Sequence, residues 1–298
     1  MSIFPTKILL ATDGSKDANL AARAAIDLSK KGGSELHAVH VWHDVPTPHL
    51  HSFVRAQLKQ EAQEVLDKQV EQIEHAGGTV AGAHLREDRT IDEILDLSEE
   101  LEMGLLIVGS RGLGGAKRIL LGSVSEGIVH HSRRPVLVMR GGQNAWPPVR
   151  IVIADDSSED AKKAGELAAE IGRLFESKAL LMRVYPMHLE EARSVGDCEP
   201  QKVKEAFRQA ETDLRERADR LEDILGRRPA TAIKVSDDPA AAILEVTQEE
   251  EEPTLIAVGS RGLGPIQRMR LGSVSTKVVR AGPEPVLVCP HPRSDPKS

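Results

Sequence analysis

At 298 residues the chain has the length of two ordinary domains, each able to bury its own core. A formal net charge of -7 and an aromatic content of 2% argue against a nucleic-acid partner, because backbone binding needs clustered positive charge and exposed bases need stacking platforms. Two cysteines, Cys198 and Cys289, make neither a metal spacing nor a disulfide framework, and no apolar run approaches the length of a bilayer span, so a soluble, cytoplasmic protein with no membrane partner is expected.

Lys7 to Ala11 reads as a buried strand and Thr12-Asp13-Gly14-Ser15 as the turn at its carboxyl end. Residues 17 to 31 follow the three-four spacing of an amphipathic helix closed by Gly32 and Gly33, so Asp13 either caps that helix or faces a crevice. Residues 35 to 42 alternate as a second strand. His37, His40, His43, His49 and His51 invite a metal reading, but positions three apart on a strand point to opposite faces; His37, His40 and His43 cannot all converge, and no metal site is expected. A Pro- and His-rich loop over 44 to 52 precedes a long polar helix over 53 to 75 and a strand from Thr79 to Leu85. A helix from Thr90 to Leu101 follows, with Ile91, Ile94, Leu95 and Leu97 as its buried side. An apolar run from Leu105, a short helix after Ser125 and a final strand, Pro135 to Met139, complete the first half.

Gly141 to Pro148 is a linker by composition, and the same order then restarts. The domains are placed at 1–141 and 150–291, with 142–149 between them and a disordered tail at 292–298. Strands are expected at Arg150 to Ala154, Ala179 to Tyr185, Ala230 to Val235 and Pro285 to Cys289, and helices at 159–174, 201–225 and Pro239 to Thr247. The acidic run Glu249 to Glu252 reads as a solvated helix end.

One stretch occurs twice: Leu105 to Ser125, LLIVGSRGLGGAKRILLGSVS, and Leu255 to Ser275, LIAVGSRGLGPIQRMRLGSVS. In each, a buried run ends in Gly-Ser-Arg-Gly, nine residues follow, and Gly-Ser-Val-Ser opens a helix. Glycines just past the carboxyl end of a central parallel strand let backbone N–H groups approach an anion, and a helix start favours negative charge. Gly109 and Gly112 are expected to use backbone angles closed to other residues, and Ser123 to cap the next helix with Glu126 as a capping box. Arg111, Lys117 and Arg118 add cations nearby. Walker A and the dinucleotide fingerprint are both absent, since Lys117 follows Ala116 and neither copy has Gly-x-Gly-x-x-Gly between strand and helix.

These residues resemble the universal stress protein family, in its ATP-binding form, whose motif is Gly-x-x-Gly, nine residues, then Gly-Ser/Thr. Both copies match it without a gap. The resemblance covers nearly the whole chain and implies an α/β fold: two tandem doubly wound domains, each a five-stranded parallel sheet of order 3-2-1-4-5 flanked by helices. It further implies ATP lying between strands one and four, with Mg²⁺ as a candidate companion ion. Carried over position by position, it puts Thr12 and Asp13 at the nucleotide, the backbone near Val41 against the adenine, and the phosphates on Gly109, Arg111, Gly112, Gly122, Ser123, Val124 and Ser125. In the second half the matching positions are Asp156, Val184, Gly259, Arg261, Gly262, Gly272, Ser273, Val274 and Ser275. Departures also occur. Asp155 stands where the first half has Thr12, Ser157 where it has Gly14, and Pro265 where it has Gly115; a carboxylate at position 155 would either weaken the second site or recruit Mg²⁺.

Three functions compete: a nucleotide-dependent stress-response or signalling regulator read by an unknown protein partner, a slow ATPase or phosphoryl or nucleotidyl transfer enzyme, and a structural dimerisation module with empty pockets. The first is favoured, because both glycine motifs are intact and no nucleophile, base and orienting residue stand together; no catalytic residue is named. The family resemblance also places the last strand of each half at a sheet edge, and an apolar edge strand is a template for pairing. Two such edges in one chain can satisfy each other, and a homodimer of whole chains remains open. Charged residues introduced at both Leu137 and Leu287 are expected to separate the halves or to destabilise them together, as followed by thermal unfolding and small-angle scattering. Unaltered behaviour in both measurements would rule out the pairing.

Overall fold

The computed structural model describes residues 4–44, 51–112, 121–142, 144–185, 200–248, 252–260 and 271–291. Most of the expected loop at 44–52, most of the acidic run at 249–252 and the tail at 292–298 therefore lie outside the described residues. The chain divides into two compact units, Phe4–Trp146 and one built on Pro147–Ser298.

In the first unit the order is β1 (Lys7–Ala11), α1 (Lys16–Gly32), β2 (Glu35–Trp42), α2 (His51–His75), β3 (Val80–Glu87), α3 (Thr90–Glu100), β4 (Leu105–Gly109), α4 (Ser123–His131) and β5 (Val136–Met139). Its strands lie in the order β3-β2-β1-β4-β5, every pair parallel. The second unit repeats this with β6 (Arg150–Ala154), α5 (Glu159–Phe175), β7 (Lys178–Tyr185), α6 (Pro200–Leu225), β8 (Ala230–Val235), α7 (Pro239–Gln248), β9 (Thr254–Gly259), α8 (Ser273–Ala281) and β10 (Val286–Cys289). Its order is β8-β7-β6-β9-β10, again parallel throughout. The expected doubly wound topology is what forms.

Continuous apolar runs become central strands because helices cover both sheet faces. Leu9 and Leu10 of β1 and Leu105, Leu106 and Ile107 of β4 are 0% exposed, so successive side chains on both faces are sealed from water. Each such side chain contributes roughly 1.5–3 kcal/mol through burial. The outer strands β3 and β8 instead carry half-buried and exposed positions, which suits an edge. In α3 the buried positions are Ile94, Leu97 and Ser98, while Ile91 and Leu95 are only half-buried, a narrower face than the spacing suggested.

The helices that follow β1 and β6 are capped by Ser15 and Ser158, whose side chains accept from the N–H groups of Ala18 and Ala161 at 3.2 Å in both cases. Asp13 is therefore not the cap. Ser157, at the place of Gly14, takes φ 67° beside the glycine's 75°, so the substitution keeps the turn and carries the cost of a left-handed non-glycine residue, about 1–2 kcal/mol.

Both motif strands end under the first turn of a helix. A Cβ on Gly259 would lie 2.6 Å from the Ala161 nitrogen, and one on Gly109 would lie 2.6 Å from the Asp17 carbonyl carbon. Neither glycine has a positive φ, so both are required for space; the unusual backbone angles expected at Gly109 and Gly112 are found at neither. Gly259→Ala is expected to destabilise the second unit by about 1–3 kcal/mol, because backbone must shift, while Gly142→Ala, with open space around it, stays within about 0.5 kcal/mol of the parent in chemical denaturation.

Candidate functional site

The chain leaves β1 toward β2 on one side and reaches β4 on the other, so the carboxyl ends of β1 and β4 border a crevice at the switch point of the sheet. Three short segments meet there. The first is the turn after β1. Asp13 Oδ1 accepts from the Ser15 N–H at 3.0 Å, and the Thr12 hydroxyl donates to Gln69 Oε1 at 2.7 Å while accepting from the Gly14 N–H at 3.2 Å. The second is the end of β4, where Ser110 Oγ donates to Asp17 Oδ2 at 2.6 Å and the Arg111 carbonyl accepts from Ser15 Oγ at 3.1 Å. The third is the start of α4: the Gly122 N–H donates to the Ser110 carbonyl at 2.8 Å, and Ser125 Oγ donates to the Gly109 carbonyl at 2.6 Å.

These bonds gather Thr12, Asp13, Gly109, Arg111, Gly112, Gly122, Ser123, Val124 and Ser125 at one edge of the sheet. Gly112 lies so close to Asp13 that an added Cβ would collide with Asp13 Oδ2. Val41 stands one strand away, near the end of β2 and 9% exposed. The Arg111 guanidinium is drawn to the start of α1, with Nε 3.6 Å from Asp17 Oδ2. One expectation is corrected: Gly122 and not Ser123 is the N-cap of α4, and no side chain caps it. Glu126 is then the fourth helical residue, one place too far along for the expected capping box; its N–H donates to the Gly122 carbonyl at 2.9 Å. The motif needs glycine at that place for the approach to Ser110, and an uncapped helix start keeps N–H groups turned toward an incoming anion.

The second unit reproduces this edge. Asp156 Oδ1 accepts from the Ser158 N–H at 3.0 Å, the Gly272 N–H donates to the Ser260 carbonyl at 2.6 Å, and Ser275 Oγ donates to the Gly259 carbonyl at 2.6 Å. Gly272 caps α8, which opens with Ser273 and Val274, and again no side chain caps the helix. Val184 lies near the end of β7 as Val41 does on β2, whereas Arg261 and Gly262 lie outside the described residues, as do Lys117 and Arg118.

Sequence reasoning missed a layer beneath each crevice. In the first unit it has no carboxylate or guanidinium: Thr12 bonds Gln69, and His40 Nδ1 lies 2.8 Å from the Thr12 carbonyl, which can only accept and so requires the proton on Nδ1. In the second unit the aligned positions carry charge. Asp155, 4% exposed, accepts from Arg183 Nε at 3.1 Å and pairs with Arg217 Nε at 2.9 Å, while Arg183 also reaches Asp213 at 3.5 Å. The carboxylate is thus held by two guanidinium groups. The signal was present as three coordinated replacements between the halves, Thr12/Asp155, His40/Arg183 and Gln69/Arg217. Also missed was the buried Asp160, which accepts from Ser260 Oγ at 2.9 Å and faces His291 Nδ1 at 2.7 Å. Burial pushes the Cys289 thiol up to about 12, with the nearby Asp160 carboxylate adding to the effect, so it is no nucleophile near neutral pH.

A model of the universal stress protein family matches residues 5–140 and 149–290. The chain belongs to the universal stress protein family. A universal stress protein of Mycolicibacterium smegmatis is 28% identical over 212 residues, covering 71% of this chain and 69% of the relative. One from Methanocaldococcus jannaschii is 32% identical over 139 residues, 45% of this chain and 81% of the relative. The crystal structure of a universal stress protein from Archaeoglobus fulgidus superposes with a TM-score of 0.67 at 26% identity, covering 96% of this chain and 98% of that one. Both universal stress domains of the present chain therefore carry the motif edge, on differently charged foundations. No helix among the described residues is long and apolar enough to cross a membrane.

Asp155→Ala is expected to destabilise the second domain by about 3 kcal/mol, since it removes the shared carboxylate of two mostly buried guanidinium groups and leaves Arg183 only its longer contact with Asp213. The triple change Asp155→Thr, Arg183→His and Arg217→Gln, which installs the first domain's layer, is expected to recover most of that loss in urea denaturation.

Proposed function

We propose that the protein binds ATP at the crevice of each domain and acts as a nucleotide-dependent stress-response or signalling regulator, its occupied state read by a protein partner. The observation that carries this reading is the pair of uncapped helix starts at Gly122 and Gly272, each hydrogen-bonded to a glycine-bearing strand end and each beside an aspartate turn. The fit to a nucleotide is physical. A side chain at Gly112 would have to push the Asp13 carboxylate aside, the first-turn N–H groups of α4 suit phosphate oxygens, and Asp13 or Asp156 suits a hydroxyl-bearing ribose.

Bound ATP would supply an adenine and a triphosphate, with Mg²⁺ as counterion. The chain's own residues would hold the phosphates on Gly109, Gly112, Gly122, Ser123, Val124 and Ser125, and on Gly259, Gly262, Gly272, Ser273, Val274 and Ser275 in the second domain. Arg111 and Arg261 would add charge, and the backbone near Val41 or Val184 would meet the base. Thr12 would act indirectly, because its hydroxyl already joins the end of β1 to Gln69. No group is assigned as general base, so turnover is expected to stay below about 1 per second.

Denaturing the purified protein and analysing the released small molecules by mass is expected to yield ATP. Gly112→Glu is expected to abolish ATP binding by the first domain while leaving the fold intact, because a bulky anion would enter the phosphate path beside Asp13. Unchanged calorimetric affinity in Gly112→Glu and Gly262→Glu would overturn the assignment.

A further inference from the structure

A different pair of side chains lies away from the crevices. His37 on β2 and His84 on β3 face each other across neighbouring strands, His37 Nδ1 3.1 Å from His84 Nε2. Their ring centroids are 5.4 Å apart and their planes differ by 16°. That separation is about one ring radius at each end plus the nitrogen gap, so the rings lie nearly coplanar, edge to edge, with the two facing nitrogens directed at each other. One proton can occupy this gap; two cannot. Gly82 makes the approach possible, since a Cβ there would lie 2.7 Å from His37 Nδ1 and 2.9 Å from His84 Nε2.

The far side of His37 is also informative. Its Nε2 is buried with no hydrogen-bond partner, and Glu35 Oε2 stands 3.8 Å away. A histidine whose second nitrogen faces a carboxylate is the arrangement that orients imidazole ligands on metals. Two imidazole nitrogens bound to a tetrahedral ion at about 2.0–2.1 Å lie roughly 3.3 Å apart, so the present separation suits a chelate once each ring turns by about 35° to aim its lone pair at a common ion.

We propose that His37 and His84 form a two-imidazole site for a borderline divalent transition-metal ion, with water completing the coordination and Glu35 accepting a hydrogen bond from the His37 Nε2–H. The chemistry balances without net proton release from the neutral pair. The proton in the gap is lost from the facing nitrogen and replaced on the other nitrogen of the same ring, leaving both facing lone pairs for the ion. Burial, followed by the neighbouring His37 and Arg86, holds the His84 pKa below its ordinary value, against the opposing pull of Glu100. The ring therefore stays neutral, and a ligand, to lower pH than an ordinary histidine. The charged groups around the pair are Glu35 on its own strand, Arg86 on β3 and Glu100 on α3, the last two joined at the edge of the site.

The test uses the full-length, tag-free chain and Cu²⁺ as probe, because copper binds imidazole most tightly among the divalent first-row ions and reports its nitrogens by electron paramagnetic resonance. The expected result is a saturable Cu²⁺ site with hyperfine coupling to two imidazole nitrogens. His84→Gln and Gly82→Ala should each weaken it by about tenfold or more, while His43→Gln leaves it unchanged. His84 lies at a partly exposed position on an edge strand, so His84→Gln keeps the test readable if Gly82→Ala fails to fold. Undiminished affinity in folded His84→Gln would show adventitious binding at other histidines. Absence of copper uptake by the parent chain would show a proton-sharing contact only. Either result overturns the proposal.

Discussion

The structure depends on how closely the first turn of a helix sits on the end of its neighbouring strand. At Gly109 and Gly259 the helix backbone occupies the volume a side chain would need, with 2.6 Å between the hypothetical Cβ and the nearest helix backbone atom in both domains. That seating lets Ser110 and Ser260 reach Asp17 and Asp160 with their hydroxyls, and their carbonyls take the N–H groups of Gly122 and Gly272. The positions of α4 and α8 over the crevices follow. A bulkier residue at either glycine would push the strand end from the helix and loosen the bonds that lead to the uncapped helix start.

The halves keep this edge and change what lies beneath it. A hydroxyl, an amide and an imidazole support the first crevice, whereas one carboxylate and two guanidinium groups support the second. The exchange needs three positions to change together, because one charge introduced alone among neutral groups would be buried without a partner. Both layers join the end of the first strand of the domain to the second strand and the long helix, the first through directional hydrogen bonds and the second through ion pairs among Asp155, Asp213, Arg183 and Arg217.

Much of the fold was legible in the sequence because its determinants are local. The apolar runs of β1, β4, β6 and β9, the periodicity of α1 and α5 and the recurrence of Gly-x-x-Gly with its nine-residue spacing each lie within a short window of chain. Periodicity decides helix or strand locally, and repetition then implies that whatever one half builds, the other builds as well.

What the sequence by itself determined was therefore the succession of strands and helices, the tandem repeat and the glycine motif that carries the family resemblance, and it was that resemblance which implied the strand order and the glycines and aspartates of the candidate site. Only the tertiary structure decided which group caps α4, why Gly109 must be glycine, that Asp155 is paired with Arg183 and Arg217, and that His37 meets His84. The physical reason is the same in each case. These are contacts between residues distant along the chain, set by the register of neighbouring strands and the seating of a helix, and no pattern within one segment encodes the distance between two side chains on different ones.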